Sequence, residues 1–196
     1  MQYEIIDDFL PQFDTLLDEY PTMFAKEVRG HGDIYQTDPE FNMLSKGWQQ
    51  FYQHVHTESF WLPLIKKFNI KTPPFRSAYR EPRNGLHQPL NELFTYARCD
   101  VSLGLEGYGK VNGGRGRHVD NPNRIISALL YFTDQEEIQG GEFVFTDLPL
   151  IVPLKKNRLV ASTQTKDAWH KVNPVTKGQR KSVYMALSCS QPFYER

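Results

Sequence analysis

The hydrophobic pattern of this 196-residue chain changes its period near residue 93, and that change limits the folds open to it. Before it, apolar residues recur at three- and four-residue intervals, the spacing of one helix face. Residues 4–20 carry Ile5, Ile6, Phe9, Leu10, Phe13, Leu16 and Leu17, and Pro11 divides them into two short helices. Residues 41–55 carry Trp48, Phe51, Tyr52 and Val55, and residues 58–68 carry Phe60, Trp61, Leu64 and Ile65. Residues 72–89 hold Pro73, Pro74, Pro82, Gly85 and Pro89, too many breakers for a long helix.

Beyond residue 93, short β-type stretches alternate with turn residues. They fall at 94–105, 117–120, 125–133, 142–146, 150–154, 158–162, 169–172 and 180–189. Many short strands in so little chain predict an antiparallel sandwich or barrel. The fold class expected is α+β: a double-stranded β-helix (jelly roll) with an N-terminal helical layer. Residues 1–93 would form a helical support region packed on a jelly-roll core of residues 94–196, in a single domain overall.

Composition removes several function classes. The 23 basic and 23 acidic residues cancel, whereas a dedicated nucleic-acid binder carries a basic excess. With 39% apolar residues, a disordered charged tail is excluded. The cancellation is uneven along the chain: residues 1–93 carry a net charge of −4 and residues 94–196 a net of +4. Cys99 and Cys189 are expected as free buried thiols of a reducing compartment. The first residues carry acids where a secretory signal needs bases. The longest apolar runs, 125–132 and 148–154, fall well short of the ~20 residues of a spanning helix. A soluble cytoplasmic protein without membrane or nucleic-acid partners is expected.

His118-Val119-Asp120 is the sharpest local feature. On a strand, residues two apart point to one face, so an imidazole and a carboxylate can converge. His170 lies on a later predicted strand and can supply a third ligand. Two His and one carboxylate leave three positions open on an octahedral metal, as in non-haem Fe(II) oxygenases. Arg180 lies ten residues beyond His170, with Ser182 two further on. A guanidinium fork matches a carboxylate bidentately. On the neighbouring strand it can clamp a dicarboxylate whose other end chelates the metal. Read alone, Arg180 is equally a surface ion-pair partner.

These residues resemble the Fe(II)/2-oxoglutarate-dependent oxygenases, over roughly residues 94–192. The match is nearest the prolyl-hydroxylase-like branch. Residues 117–123, Arg-His-Val-Asp-Asn-Pro-Asn, resemble its metal strand and turn. Residues 170–175, followed by Gly178 and Arg180, resemble its second metal segment, and Gly140-Gly141-Glu142-Phe143 the turn opening a core strand. The resemblance implies Fe(II) on His118, Asp120 and His170, and 2-oxoglutarate on Arg180. It places Tyr108, Tyr131, Ser127 and Ser182 about the co-substrate. O2 would be the oxidant, with ascorbate as a possible reductant. The implied reaction is hydroxylation of an unactivated C–H with release of succinate and CO2; the carboxylate of Asp120 disfavours halogenation.

Each supporting residue keeps another reading. Tyr108, between Gly107 and Gly109, is otherwise a loop aromatic, and Tyr131 otherwise an alternating core residue. Arg115, Arg117 and Arg124 form either a solvated rim or an attractor for an anionic substrate. Trp169 reads as packing. His54 and His56 diverge on a helix and are not expected to bind metal. The substrate is a prolyl or peptidyl side chain, or a small metabolite such as a sugar or amino acid. A non-catalytic cupin-like binding protein is the alternative from another class. Nucleobase demethylation is disfavoured because Ala186 stands where that branch carries a second arginine.

Overall fold

The computed structural model describes residues 1–21, 31–32, 39–71, 93–104, 114–189 and 192–193. Its elements are β1 (Tyr3–Ile6), α1 (Phe13–Asp18), β2 (His31–Gly32), α2 (Lys46–Val55), α3 (Glu58–Lys67), β3 (Leu93–Gly104), β4 (Arg115–His118), β5 (Arg124–Tyr131), β6 (Gln139–Gly140), β7 (Phe143–Phe145), β8 (Leu150–Val152), β9 (Leu159–Thr163), β10 (His170–Val172) and β11 (Val175–Cys189). Short 3-10 turns occupy Pro39–Met43 and Gln135–Glu137. The larger sheet runs β1-β9-β5-β11-β3-β2, with β6 also paired to β11, and the smaller runs β4-β10-β7-β8. All pairings are antiparallel. The expected jelly roll with a helical layer is the observed architecture.

The central strands β5 and β9 of the larger sheet are buried on both faces, and the two-residue period of β5 and β11 sorts the side chains. Ile126, Ala128 and Leu130 on β5, with Val183, Met185 and Leu187 on β11, join the helices in one core. Leu129, Tyr131, Tyr184 and Ala186 alternate with them and turn into the barrel, against Phe143, Phe145 and Val152 of the smaller sheet. A strand between two apolar layers shows a continuous apolar run, which is why all eight residues of β5 are buried.

The helical layer is held by its aromatic residues. Ser45 caps α2 by accepting from the Trp48 amide. Trp48, Phe51, Tyr52 and Val55 are buried along one stripe of that helix. Trp48 Nε1 donates to the Leu16 carbonyl at 3.0 Å, and Trp61 Nε1 to the Val55 carbonyl at 2.8 Å. Phe132, just past β5, stacks on Phe13 with ring centroids 4.7 Å apart and touches Trp48 and Tyr20. Cys99 and Cys189 are both free and buried.

The first segment departs from its helical pattern. Tyr3–Ile6 forms an edge strand on β9, from Tyr3 opposite Ser162 to Ile6 opposite Leu159. Asp7 fixes its end through Arg158 Nε at 2.6 Å and Lys155 Nζ at 2.8 Å. These cations hold the Asp7 carboxyl well below the usual carboxylate range. The open edge of β9 offers hydrogen bonds that an isolated short helix lacks, so only Phe13–Asp18 remains helical.

Candidate metal centre

β4 and β10 place the two histidines directly across from one another. His118 and His170 are register partners, with ring centroids 4.3 Å apart. Asp120 follows the end of β4 rather than lying on it, and its side chain still turns inward. One ligand atom from each of His118, Asp120 and His170 lies within 4.8 Å of the others. Among the described residues this is the one such cluster that could hold a metal. Asp120 Oδ1 is 3.7 Å from His118 Nε2 and 3.8 Å from His170 Nε2.

Local backbone contacts orient both rings. His118 Nδ1 lies 2.7 Å from the Gly116 carbonyl, and His170 Nδ1 lies 2.9 Å from the Ala168 carbonyl. A carbonyl can only accept, so Nδ1 carries the proton in each neutral ring and Nε2 presents its lone pair. Burial holds the His170 pKa below the usual histidine value, which favours that neutral form. Phe143 stacks on the His170 ring at 5.1 Å. Burial alone raises the Asp120 pKa; His118, the field of His170 and the Ser127 hydroxyl outweigh it and hold the carboxyl well below its usual range. His118 Nε2 is buried with no hydrogen-bond partner. Two lone pairs and a carboxylate converging at this spacing fit a divalent iron, zinc or manganese ion, and the imidazole and carboxylate donors suit Fe(II).

Arg180 lies on β11 and is 3% exposed. Its Nε donates to the Gly141 carbonyl at 3.0 Å and its Nη1 to Ser182 Oγ at 2.9 Å. Its Nη2 is buried with no hydrogen-bond partner. The Tyr131 hydroxyl is likewise buried and unpartnered, and the guanidinium carbon lies 5.4 Å from the Tyr131 ring centroid. Burial raises the Tyr131 pKa, so the phenol stays protonated and can donate. Two orphaned donors beside a fixed cation fit a carboxylate, which would satisfy both. Gly141 has a φ of +81°, and a Cβ there would lie 3.0 Å from Arg180 Cδ; this glycine lets the guanidinium lie against the turn.

The other expected residues fall in different places. Ser127 Oγ donates to Asp120 Oδ2 at 2.6 Å, so its hydroxyl serves the carboxylate. Tyr108 lies outside the described residues. Arg124 is buried and donates to Ser188 Oγ at 2.9 Å, so it is not a solvated rim residue. Arg117 lies over the Trp169 ring at 4.1 Å and pairs with Asp147 at 2.9 Å. His54 is exposed, while His56 is buried against Thr95. Tyr184 escaped the sequence reading: its hydroxyl lies 3.1 Å from Asp120 Oδ2. The signal was the two-residue period running Arg180, Ser182, Tyr184 along one face of β11.

Comparison with known proteins agrees with this geometry. Residues 103–187 match the model of the 2OG-Fe(II) oxygenase superfamily, whose description names both the metal and the co-substrate. A PKHD-type hydroxylase of Bordetella pertussis is 32% identical over 112 residues, which is 50% of this chain and 49% of the relative. The chain thus spans about half the length of the curated relatives it matches. A viral collagen prolyl hydroxylase from Paramecium Bursaria Chlorella virus-1, solved with 2OG, superposes with a TM-score of 0.59 at 14% identity, covering 97% of each chain. A prolyl hydroxylase from Trichoplax adhaerens, solved with a hypoxia inducible factor peptide, gives a TM-score of 0.56 at 15% identity over 97% of this chain and 85% of that one. At these identities the two structures show the shared fold. Residues 103–187 are thus similar to the 2OG-Fe(II) oxygenase superfamily, and the chain shares the fold of the solved prolyl hydroxylases.

Proposed function

We propose that this chain is an Fe(II)- and 2-oxoglutarate-dependent dioxygenase that hydroxylates an unactivated C–H, with release of succinate and CO2. The observation that carries the reading is the occurrence of two donor sets in one barrel. His118, Asp120 and His170 bring one ligand atom each to a common point, and Arg180 Nη2 with Tyr131 Oη forms a second donor set with no hydrogen-bond partner among the described residues. The first set would hold Fe(II), and the second the distal carboxylate of 2-oxoglutarate. Bound iron supplies the redox chemistry that couples oxidative decarboxylation to C–H oxidation.

The chain's own residues bind and orient. The Gly116 and Ala168 carbonyls keep both imidazoles turned so that Nε2 faces inward. Arg180, held through Gly141 and Ser182, offers its remaining donor to an anion. Leu129, Phe143 and Val160 form the apolar part of the lining of a small cavity beside Asp120 and His170. The net +4 charge of residues 94–196 favours a dianionic co-substrate.

For the substrate, the solved neighbours favour a prolyl or peptidyl side chain. The solved neighbours are described as acting on collagen proline or as bound to a peptide. A small metabolite is the second candidate. Among the described residues no helix is long and apolar enough to cross a membrane. From the two free, buried thiols of Cys99 and Cys189 we infer a reducing, cytoplasmic setting. Thermal-shift titration with Mn(II) and 2-oxoglutarate, followed by mass-spectrometric screening of proline-containing peptides against free metabolites for a gain of one oxygen, tests the assignment. A Mn(II)-dependent 2-oxoglutarate shift supports it, and no shift with either ligand counts against it.

A further inference from the structure

The outer oxygen of Asp120 is held from two sides. Ser127 Oγ donates to Oδ2 at 2.6 Å and the Tyr184 hydroxyl lies 3.1 Å from the same atom, with the two hydroxyls 2.9 Å apart. Asp120 is 5% exposed, and Ser127 and Tyr184 are each 8% exposed. The two hydroxyls come from neighbouring strands: Ser127 lies on β5 opposite Ala186 of β11, two residues from Tyr184. Their spacing is therefore fixed by the sheet rather than by a loop. The guanidinium of Arg98 lies 4.9 Å from the Tyr184 ring centroid and that of Arg124 lies 5.9 Å from it, which fixes the phenol further. A cavity of about 20 Å³, room for one water, adjoins this group between Asp120, Ser127, Ser162, Gln164 and Tyr184.

A carboxylate can bind a metal through one oxygen or both. The difference matters here because a second bound oxygen would occupy one of the positions that a two-His, one-carboxylate set leaves open. Oδ1 faces the two Nε2 atoms, while Oδ2 is turned onto the two hydroxyls. Removing those hydroxyls takes away two hydrogen bonds that hold Oδ2 in place, beside a cavity the carboxylate can turn towards.

We propose that Ser127 and Tyr184 are positioning residues that hold Asp120 as a one-oxygen metal ligand and so keep a coordination position open for the co-substrate. The proposal rests on the metal-site reading above. It deepens that reading by assigning Tyr184 a role and by moving Ser127 from the co-substrate to the carboxylate.

The test uses Co(II) as probe metal, because its visible spectrum reports coordination number. The apo forms of the unsubstituted protein, Ser127→Ala, Tyr184→Phe, the double variant and Ser127→Thr are each loaded with Co(II) and titrated with 2-oxoglutarate. The double variant is expected to show an altered Co(II) spectrum and at least tenfold weaker 2-oxoglutarate binding, within the 10–100-fold range of outer-shell substitutions. Ser127→Thr, which keeps the hydroxyl, is expected to retain the original spectrum and affinity. Tyr184→Phe removes a single oxygen atom and keeps the test open should the double variant misfold. An unchanged spectrum and affinity in the double variant, or in Tyr184→Phe if that alone folds, overturns the clamp and leaves the metal site standing. No Co(II) binding by the unsubstituted protein overturns the metal-site reading, and the clamp with it.

Discussion

His118 and His170 face one another as register partners across β4 and β10, although 51 residues of chain lie between them. The proposed metal ligation by this pair would depend on a backbone ladder as much as on the side chains. The carboxylate completes the set from just beyond the strand. Asp120→Ala removes the anionic ligand and leaves the β4–β10 pairing intact. Calorimetric titration with Mn(II) should show metal affinity reduced at least 100-fold, with far-UV circular dichroism unchanged.

Arg180 should separate co-substrate binding from metal binding. A charge-assisted hydrogen bond is typically worth ~1.5–3 kcal/mol, or about 10- to 100-fold in affinity. Arg180→Ala should weaken 2-oxoglutarate binding to the Mn(II)-loaded protein by that factor, with Mn(II) affinity within threefold of the original. Arg180→Lys keeps the charge and loses the fork, so it should fall between. Equal loss of metal and 2-oxoglutarate would contradict the assigned role.

Two adjacent glycines should give unlike effects. A Cβ on Gly140, at φ +82°, would lie 1.8 Å from the Pro174 carbonyl oxygen, so Gly140→Ala must move backbone. It should lower the melting temperature by several degrees. A Cβ on Gly141 would press on Arg180 Cδ and Ile138 Cδ1, both side-chain atoms at 3.0 Å. Gly141→Ala should therefore cost less stability and raise the 2-oxoglutarate dissociation constant more. Thermal melts paired with 2-oxoglutarate titrations resolve the two.

The buried His56 predicts a pH dependence of stability. Burial lowers its pKa from 6.5 to about 4, so the folded ring stays neutral where the unfolded ring takes up a proton. Its contribution is full above pH 6.5 and is lost as the pH falls from 6.5 towards 4. The slope approaches ~1.4 kcal/mol per pH unit, for a total of roughly 3 kcal/mol. Urea unfolding of the apo protein at pH 7 and pH 5 should show about 2 kcal/mol of this loss, and His56→Gln should reduce it.

Much of this was legible in the residues because buried strands and helix faces write different periods. The stretches expected at 125–133, 158–162 and 169–172 lie within two residues of β5, β9 and β10 at each end. Tyr3–Ile6 was not legible as a strand. Four residues carry too little alternation, and Ile5, Ile6, Phe9 and Leu10 fit a helix equally well; the partner that decides, β9, lies some 150 residues away. At the site, the His-x-Asp spacing and the later-strand His170 pointed to residues that the fold brings together. The attachment of Ser127 and Tyr184 to Asp120 was hidden because it depends on the register between β5 and β11, which no local pattern encodes.

The central claim is that metal and 2-oxoglutarate react together in this barrel. The most direct measurement is release of labelled CO2 from 2-oxoglutarate carrying the label at its first carbon, with Fe(II), ascorbate and air. The account predicts release above that of the iron-free protein, abolished in Asp120→Ala and strongly reduced in Arg180→Ala. Release no greater than that of the iron-free protein, with no 2-oxoglutarate binding to the Mn(II)-loaded form, would contradict it.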